Sequence, residues 1–414
     1  MTKNSGNTDI ILSRTMKVTC TDQDSNVLLV GGSGPGISSY IASNMLQARE
    51  VYVAADPGGS LYRQYGGFLK DMGYRVRCLD LIDLAGNRYN PFKYIRNDED
   101  IRKITETMYS RASSSFYEAA EKALIEALVA YVRYHMPEDE RNFSSVLDLL
   151  KKAETESGLD KIFEDTFETS PTSYALERYA DYKRIAGNAQ RAIFVSCAVR
   201  LQLFGLSETE HMMNADDIGL DSLWDEKTAL FIVTPTDDSI FNVIATMLYS
   251  QLFDMIDHCC SRYPLPIYTK IFLDGRAGLP YLDGVLFKGG KRRLSVSVAV
   301  RDAEQLKEAC GGIWEEISKV FDAMIFLSGG QTIKRSFITL AFDDRRIPSH
   351  SNDAPDSEDD RSRWVDEMFC GLAEDECLVA VFTRGVGTAR KDCRYVVSEH
   401  PNWSIAEQSM KENN

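Results

Sequence analysis

The sequence predicts an α/β protein: one mostly parallel sheet, interrupted by an all-helical insertion. Three observations carry this. Short buried-strand runs alternate with helical spacing from the start of the chain to about Ile95. An almost wholly helical pattern follows, from about Asp98 to Leu206. The strand–helix alternation then returns and lasts to the C-terminal tail. Short connections between alternating strands and helices imply parallel strands with helices on both faces.

Each element has its own signal. "NVLLVGG" (Asn26–Gly32) is a buried strand, and "SSYIASNMLQA" has helical spacing. "EVYVAAD" is a second strand, ending at Asp56-Pro57-Gly58-Gly59. A helix through "SLYRQYGGFLKDMGY" and a third strand, "RVRCLDLI", follow. In the helical part, "SSFYEAAEKALIEALVAYVRYHM" repeats apolar residues at three and four until Pro137 stops it. "NFSSVLDLLKKAE" starts with a cap at Asn142 or Ser144, and "NAQRAIFVSCAVRLQLFGL" reads as one long amphipathic stretch. "TALFIVTP", "IYTKIFLDG", "RLSVSVAVR" and "AMIFLSGG" are later strands, with a helix through "SIFNVIATMLYSQLFDMIDHCC". "CLVAVFTRG" and "CRYVV" form a late hairpin, the acidic stretch 343–363 a loop, and the tail "SIAEQSMKENN" a frayed end. The expected organisation is a first core part at 1–97, a helical domain at 98–206, and a second core part at 207–414.

Composition narrows the function. The chain has 414 residues, is 44% hydrophobic and carries a net charge of −15. That balance argues against a large nonspecific nucleic-acid surface, though not against a local basic channel. Nine scattered cysteines make no C-x-x-C pair and read as reduced thiols. Cys259 and Cys260 follow His258, but adjacent cysteines are not a zinc spacing, so no metal cluster is expected there. No segment reaches the length of a membrane span, so the chain is expected to be soluble and cytoplasmic.

The candidate site is the turn after the first core strand. The phosphate-loop pattern G-x-x-x-x-G-K-[ST] runs through Gly31, Gly32, Ser33, Gly34, Pro35, Gly36, Ile37 and Ser38. Glycines let backbone N–H groups curl around phosphate oxygens, a lysine neutralises the β and γ phosphates, and a hydroxyl binds Mg²⁺. Here the glycines and Ser38 are kept, Pro35 removes one N–H, and Ile37 stands in the lysine position.

Taken in order along the chain, these stretches resemble the cytoplasmic part of TraG-like coupling proteins of type IV secretion, which drive conjugative transfer. "NVLLVGGSGPGIS" is similar to their phosphate loop, and "ADPGGSLYRQYGGFLKDMGYRVRCLDLID" to the strand ending in D-P-K-G-E with its helix. "YNPFKYI" (Tyr89–Ile95) is a family phrase, and "FLDGRAGLP" stands where the acidic Walker B strand does. "LSVSVAVRDAEQLK", "AMIFLSGG" and "VSEHPN" also match, over about Asp9 to Asn402. The resemblance implies a RecA-like P-loop ATPase core with an inserted all-α domain. It also implies ATP and Mg²⁺ as cofactors and a homo-oligomeric ring. Relaxase or other secretion components would be its partners, single-stranded DNA its cargo, and the inner face of the membrane its place, reached through partners. The family's membrane helices have no counterpart in this sequence.

The departures fall on the charged positions. Ile37 replaces the lysine, Asp56-Pro57-Gly58-Gly59-Ser60 replaces D-P-K-G-E, and Asp274-Gly275 replaces the Walker B Asp-Glu. Arg301 stands where a γ-phosphate-sensing glutamine is expected. Ser38 and Asp274 remain as metal-side oxygens, although Asp274-Gly275 is also a common turn pair. No residue is assigned a catalytic role. ATP binding should be weak and hydrolysis impaired or absent.

Other candidates are Lys288, Lys291, Arg292 and Arg293, a basic cluster that either touches DNA phosphates or is a solvated turn. Asp237 and Asp238 read as helix caps, and His135 as a helix-end cation. Glu118, Glu121 and Glu126 read as a solvated stripe. Two functions follow: a coupling-protein homologue with impaired catalysis, or an inactive scaffold that binds partners through its helical domain. A dinucleotide fold is disfavoured, because Gly31, Gly32, Gly34 and Gly36 do not give G-x-G-x-x-G.

Overall fold

A computed structural model describes residues 8–20, 24–31, 35–109, 117–153, 156–169, 173–236, 240–275, 282–286, 290–301, 305–307, 316, 320–327, 372–373, 375–383 and 386–412. The chain divides into two compact units, one of residues 1–78, 220–238 and 255–414, the other of 79–219 and 239–254.

The first unit opens with a hairpin of β1 (Thr8–Ile11) and β2 (Lys17–Cys20), which the sequence reading missed. Its sheet is built from β3 (Val27–Val30), β4 (Val51–Pro57), β5 (Arg75–Asp80), β7 (Thr228–Thr234), β8 (Thr269–Asp274), β9 (Leu294–Val300), β10 (Ala323–Leu327), β11 (Glu376–Thr383) and β12 (Val386–Cys393). With β6 (Ala85–Gly86) at the edge, the strand order is β12-β11-β10-β3-β9-β8-β4-β7-β5-β6. Neighbours from β10 through β7 run parallel, while β11 and β12 add an antiparallel edge. Every residue of β3, β7, β8, β9 and β10 is buried, which is why these strands read as continuous apolar runs rather than alternations.

Helices α1 (Pro35–Met45) and α2 (Ser60–Asp71) follow β3 and β4. The turn into α2 needs its glycines, since Gly58 and Gly59 have φ of +80° and +71°. Asp56 then caps the helix: its two carboxylate oxygens accept from Leu61 N at 2.9 Å and Tyr62 N at 2.8 Å. Burial raises the Asp56 pKa, and these N–H bonds oppose that shift.

Two late elements differ from expectation. The hairpin partner of β11 is "VGTARKDC", not "CRYVV", with Cys377 opposite Asp392. The tail forms a helix because its apolar residues share a face. Ala406 joins the apolar core of this unit, and Trp403 and Met410 pack against it. The acidic stretch 343–363 lies outside the described residues.

A buried ion pair stands at the start of β4. Lys270 and Glu50 are each 1% exposed, with Nζ 3.4 Å from Oε1. Lys270 Nζ also donates to Asp9 O at 2.8 Å, and Tyr52 OH donates to Glu50 Oε2 at 2.5 Å. Burial lowers the Lys270 pKa, and the Glu50 carboxylate opposes that shift.

The second unit is mostly helical: α3 (Asp98–Glu106), α4 (Glu118–His135), α5 (Phe143–Ala153), α6 (Glu156–Thr169), α7 (Tyr174–Ala186), α8 (Gln190–Leu201) and α9 (Ser207–Met213). Of the two cap candidates for α5, Asn142 is the one used, accepting from Ser145 N at 2.9 Å. The stretch read as one long helix breaks at Leu201 into a short 3₁₀ turn, Gln202–Gly205. The carboxylates on α4 are not a solvated stripe: Glu121 and Glu126 are buried. Partners from neighbouring helices explain this, because Glu121 holds Ser196 and Arg200 while Glu126 holds Tyr174 and Arg178. Glu118 is half-buried and pairs with Lys122 at 2.7 Å, within the same helix.

Candidate nucleotide site

Parallel strands place their carboxyl ends on one edge of the sheet, and ligands of open α/β sheets bind there. Pairing brings the candidate positions to that edge. Val30 is level with Val300 on one side and Phe326 on the other, and Asp274 is level with Ala299. Gly31, Arg301 and Gly275 therefore leave β3, β9 and β8 side by side.

The turn out of β3 is tightly packed. Gly31 N donates to Val300 O at 3.1 Å, and a Cβ on Gly31 would lie 2.8 Å from Leu327 Cβ. A Cβ on Gly36 would lie 3.0 Å from both Leu327 methyls and 3.2 Å from Nη1 of Arg394. The absence of a Cβ at both positions permits that close approach of Leu327. Gly32, Ser33 and Gly34 lie outside the described residues, as do the side chain of Pro35 and the whole of Lys288. Ser38 is half-buried in the first turns of α1.

Ile37 is 3% exposed and belongs to the apolar core with Leu29, Ile41 and Leu327. The residue in the lysine position therefore packs its side chain inward, into the core.

Asp274 is buried at the end of β8. Beside it, Gln305 fills the space of a missing side chain. Its Nε2 donates to Gly275 O at 2.7 Å, and its Oε1 accepts from Arg301 N at 3.0 Å. A Cβ on Gly275 would lie 2.5 Å from the Gln305 carboxamide carbon. Arg301, expected at the phosphate-sensing position, has an exposed side chain. Sequence reading missed Gln305, since only the fold brings it onto Gly275.

A nucleotide with Mg²⁺ fits these residues in part. The N-terminus of α1 offers backbone N–H groups to phosphate oxygens, and Ser38 and Asp274 supply oxygens of the kind Mg²⁺ shares with phosphates. Among the described residues no group of three or more His, Cys, Asp or Glu side chains is placed to hold a metal by itself.

The basic cluster does not form one exposed patch. Arg292 is buried, with Nε 2.6 Å from Asp24 Oδ2 and Nη2 donating to Val285 O at 2.7 Å. It ties the turn to the segment before β3, which removes it from the proposed DNA-facing group. Lys291 is exposed, and Arg293 is half-buried at φ +63°. "YNPFKYI" is structural too. Asn90 accepts from Phe92 N at 3.0 Å and donates to Arg141 O at 2.8 Å, which pins a 3₁₀ turn. Asp237 and Asp238 lie outside the described residues, and His135 ends α4.

Strand order and site edge together define a RecA-like α/β architecture. The bacterial conjugative coupling protein TrwBdeltaN70, solved with sulphate, has a TM-score of 0.62 and 15% identity, over 92% of this chain and 88% of its own. TrwB solved with ADP and Mg²⁺ has a TM-score of 0.62 and 14% identity, over 92% of this chain and 87% of its own. VirB4 of Thermoanaerobacter pseudethanolicus has a TM-score of 0.57 and 12% identity, over 98% and 99%. The chain belongs to the family "Type IV secretory system Conjugative DNA transfer", whose model matches residues 4–274. No curated protein matches the sequence. Among the described residues no single helix is long and apolar enough to cross a membrane.

Proposed function

We propose that this chain is a coupling-protein homologue that binds ATP weakly through the turn after β3 and does not hydrolyse it. The observation that carries the reading is the filled space beside Asp274. A water-orienting carboxylate is absent at Gly275, and the Gln305 carboxamide occupies its place. Ile37 in the core adds the loss of a phosphate-neutralising ammonium. TrwB has been solved with ADP and Mg²⁺, and likeness to it supports the same ligand here. Ring assembly, secretion partners at the inner membrane face, and weak contact with single-stranded DNA through Lys288, Lys291 and Arg293 belong to this proposal.

A second reading, a scaffold acting through the helical unit, has its own support. A groove of about 410 Å³ there is lined by Met108, Val199, Phe204, Leu206 and Ile240, with Val199 and Ile240 each 66% exposed. Calorimetry separates the two. ATP with Mg²⁺ should give weak binding, and Ile37→Lys should tighten it about 10- to 100-fold, one charge-assisted contact being worth about 1.5–3 kcal/mol. The lysine stem would stay in the core with its ammonium reaching out to the turn. No binding by either chain would leave the scaffold reading standing.

A further inference from the structure

We propose that Arg394 supplies the phosphate-neutralising cation that Ile37 cannot, an inference that rests on the nucleotide reading above. Arg394 follows β12, far in sequence from the turn it serves. Its backbone N donates to Asp375 O at 2.8 Å, which closes the base of the β11–β12 hairpin. From there its guanidinium reaches α1, with Nη1 3.2 Å from the point a Cβ on Gly36 would occupy. Gly36 is the residue before Ile37, so the charge arrives next to the missing lysine's place in the chain. Among the described residues no carboxylate pairs with this guanidinium, although Arg14, Arg292 and others each hold one. The first turn of α1 carries no acidic side chain that would compete for it.

The chemistry suits the task. A guanidinium stays protonated at any working pH and offers five N–H donors in a planar fork that matches phosphate oxygens. The helix N-terminus adds partial positive charge on the same side. Arg394 is half-buried, and its guanidinium shares the space beside Gly36 with the Leu327 methyls. A Cβ at Gly36 would crowd this guanidinium as well as the Leu327 methyls.

The test is ATP binding by calorimetry for the full chain, Arg394→Gln, Arg394→Lys and Lys411→Gln, a remote exposed control. The expected result is at least a 10-fold loss in Arg394→Gln, a loss under about 5-fold in Arg394→Lys, and no change in Lys411→Gln. A second measurement needs no variant: phenylglyoxal labelling of Arg394 in the unaltered chain, read by mass spectrometry, should slow when ATP is added. Equal affinity of Arg394→Gln and the unaltered chain would overturn the assignment while leaving the nucleotide site intact, and so would labelling that ATP does not slow. If the unaltered chain binds no ATP, the nucleotide reading itself fails, and this assignment with it.

Discussion

Lys270→Met should destabilise the first unit by about 3–5 kcal/mol, the usual cost of leaving one buried charge without its partner. Methionine keeps roughly the volume of the lysine stem, so the loss reports charge rather than a cavity. Glu50 would remain 1% exposed with Tyr52 OH as its main support, and Asp9 O would lose its donor. The double variant Glu50→Leu/Lys270→Met should recover most of the loss, because apolar replacements of a buried pair are often neutral. The midpoint and slope of urea unfolding, followed through all four corners of the cycle, measure this. A single-variant cost below about 1 kcal/mol would mean that water reaches the pair.

Gly275→Glu alone should not create turnover, even beside Ile37→Lys. The new Cβ would fall on the Gln305 carboxamide, which is held from two sides by Gly275 O and Arg301 N. Removing the obstacle changes the outcome. Ile37→Lys/Gly275→Glu/Gln305→Ala should hydrolyse ATP about 10²-fold faster than the same chain with Gly275 retained, the lower end of what a positioned base contributes. Steady-state phosphate release compares them. Equal turnover with Gln305 present would show that the carboxamide moves aside freely.

The strands were legible because burial on both faces writes them as apolar runs: β3, β4, β7, β8, β9 and β10 lie where "NVLLV", "VYVAAD", "ALFIVT", "KIFLD", "LSVSVAV" and "AMIFL" point. The turn after β3 was legible from its glycines. Elements that depend on distant partners were not. The β1–β2 hairpin is short, and its outward positions look like a polar terminus. The C-terminal helix gains its place by packing Ala406 into a core made elsewhere. Glu121 and Glu126 read as solvated because spacing cannot reveal Arg200 and Arg178 waiting on other helices. Arg292 read as either a DNA contact or part of a solvated turn for the same reason, its Asp24 partner lying before β3. At the site, sequence identified the departures at 37 and 275, while only the fold shows Gln305 against Gly275 and Arg394 beside Gly36.

On the proposed reading, the nucleotide edge of this coupling-protein fold binds ATP without hydrolysing it. Phosphate release by the purified chain at saturating ATP and Mg²⁺, with single-stranded DNA present, tests this. The expected rate is indistinguishable from buffer and from the Ser38→Ala variant. A clear turnover that Ser38→Ala abolishes would contradict it, and would mean that this edge still carries a working base.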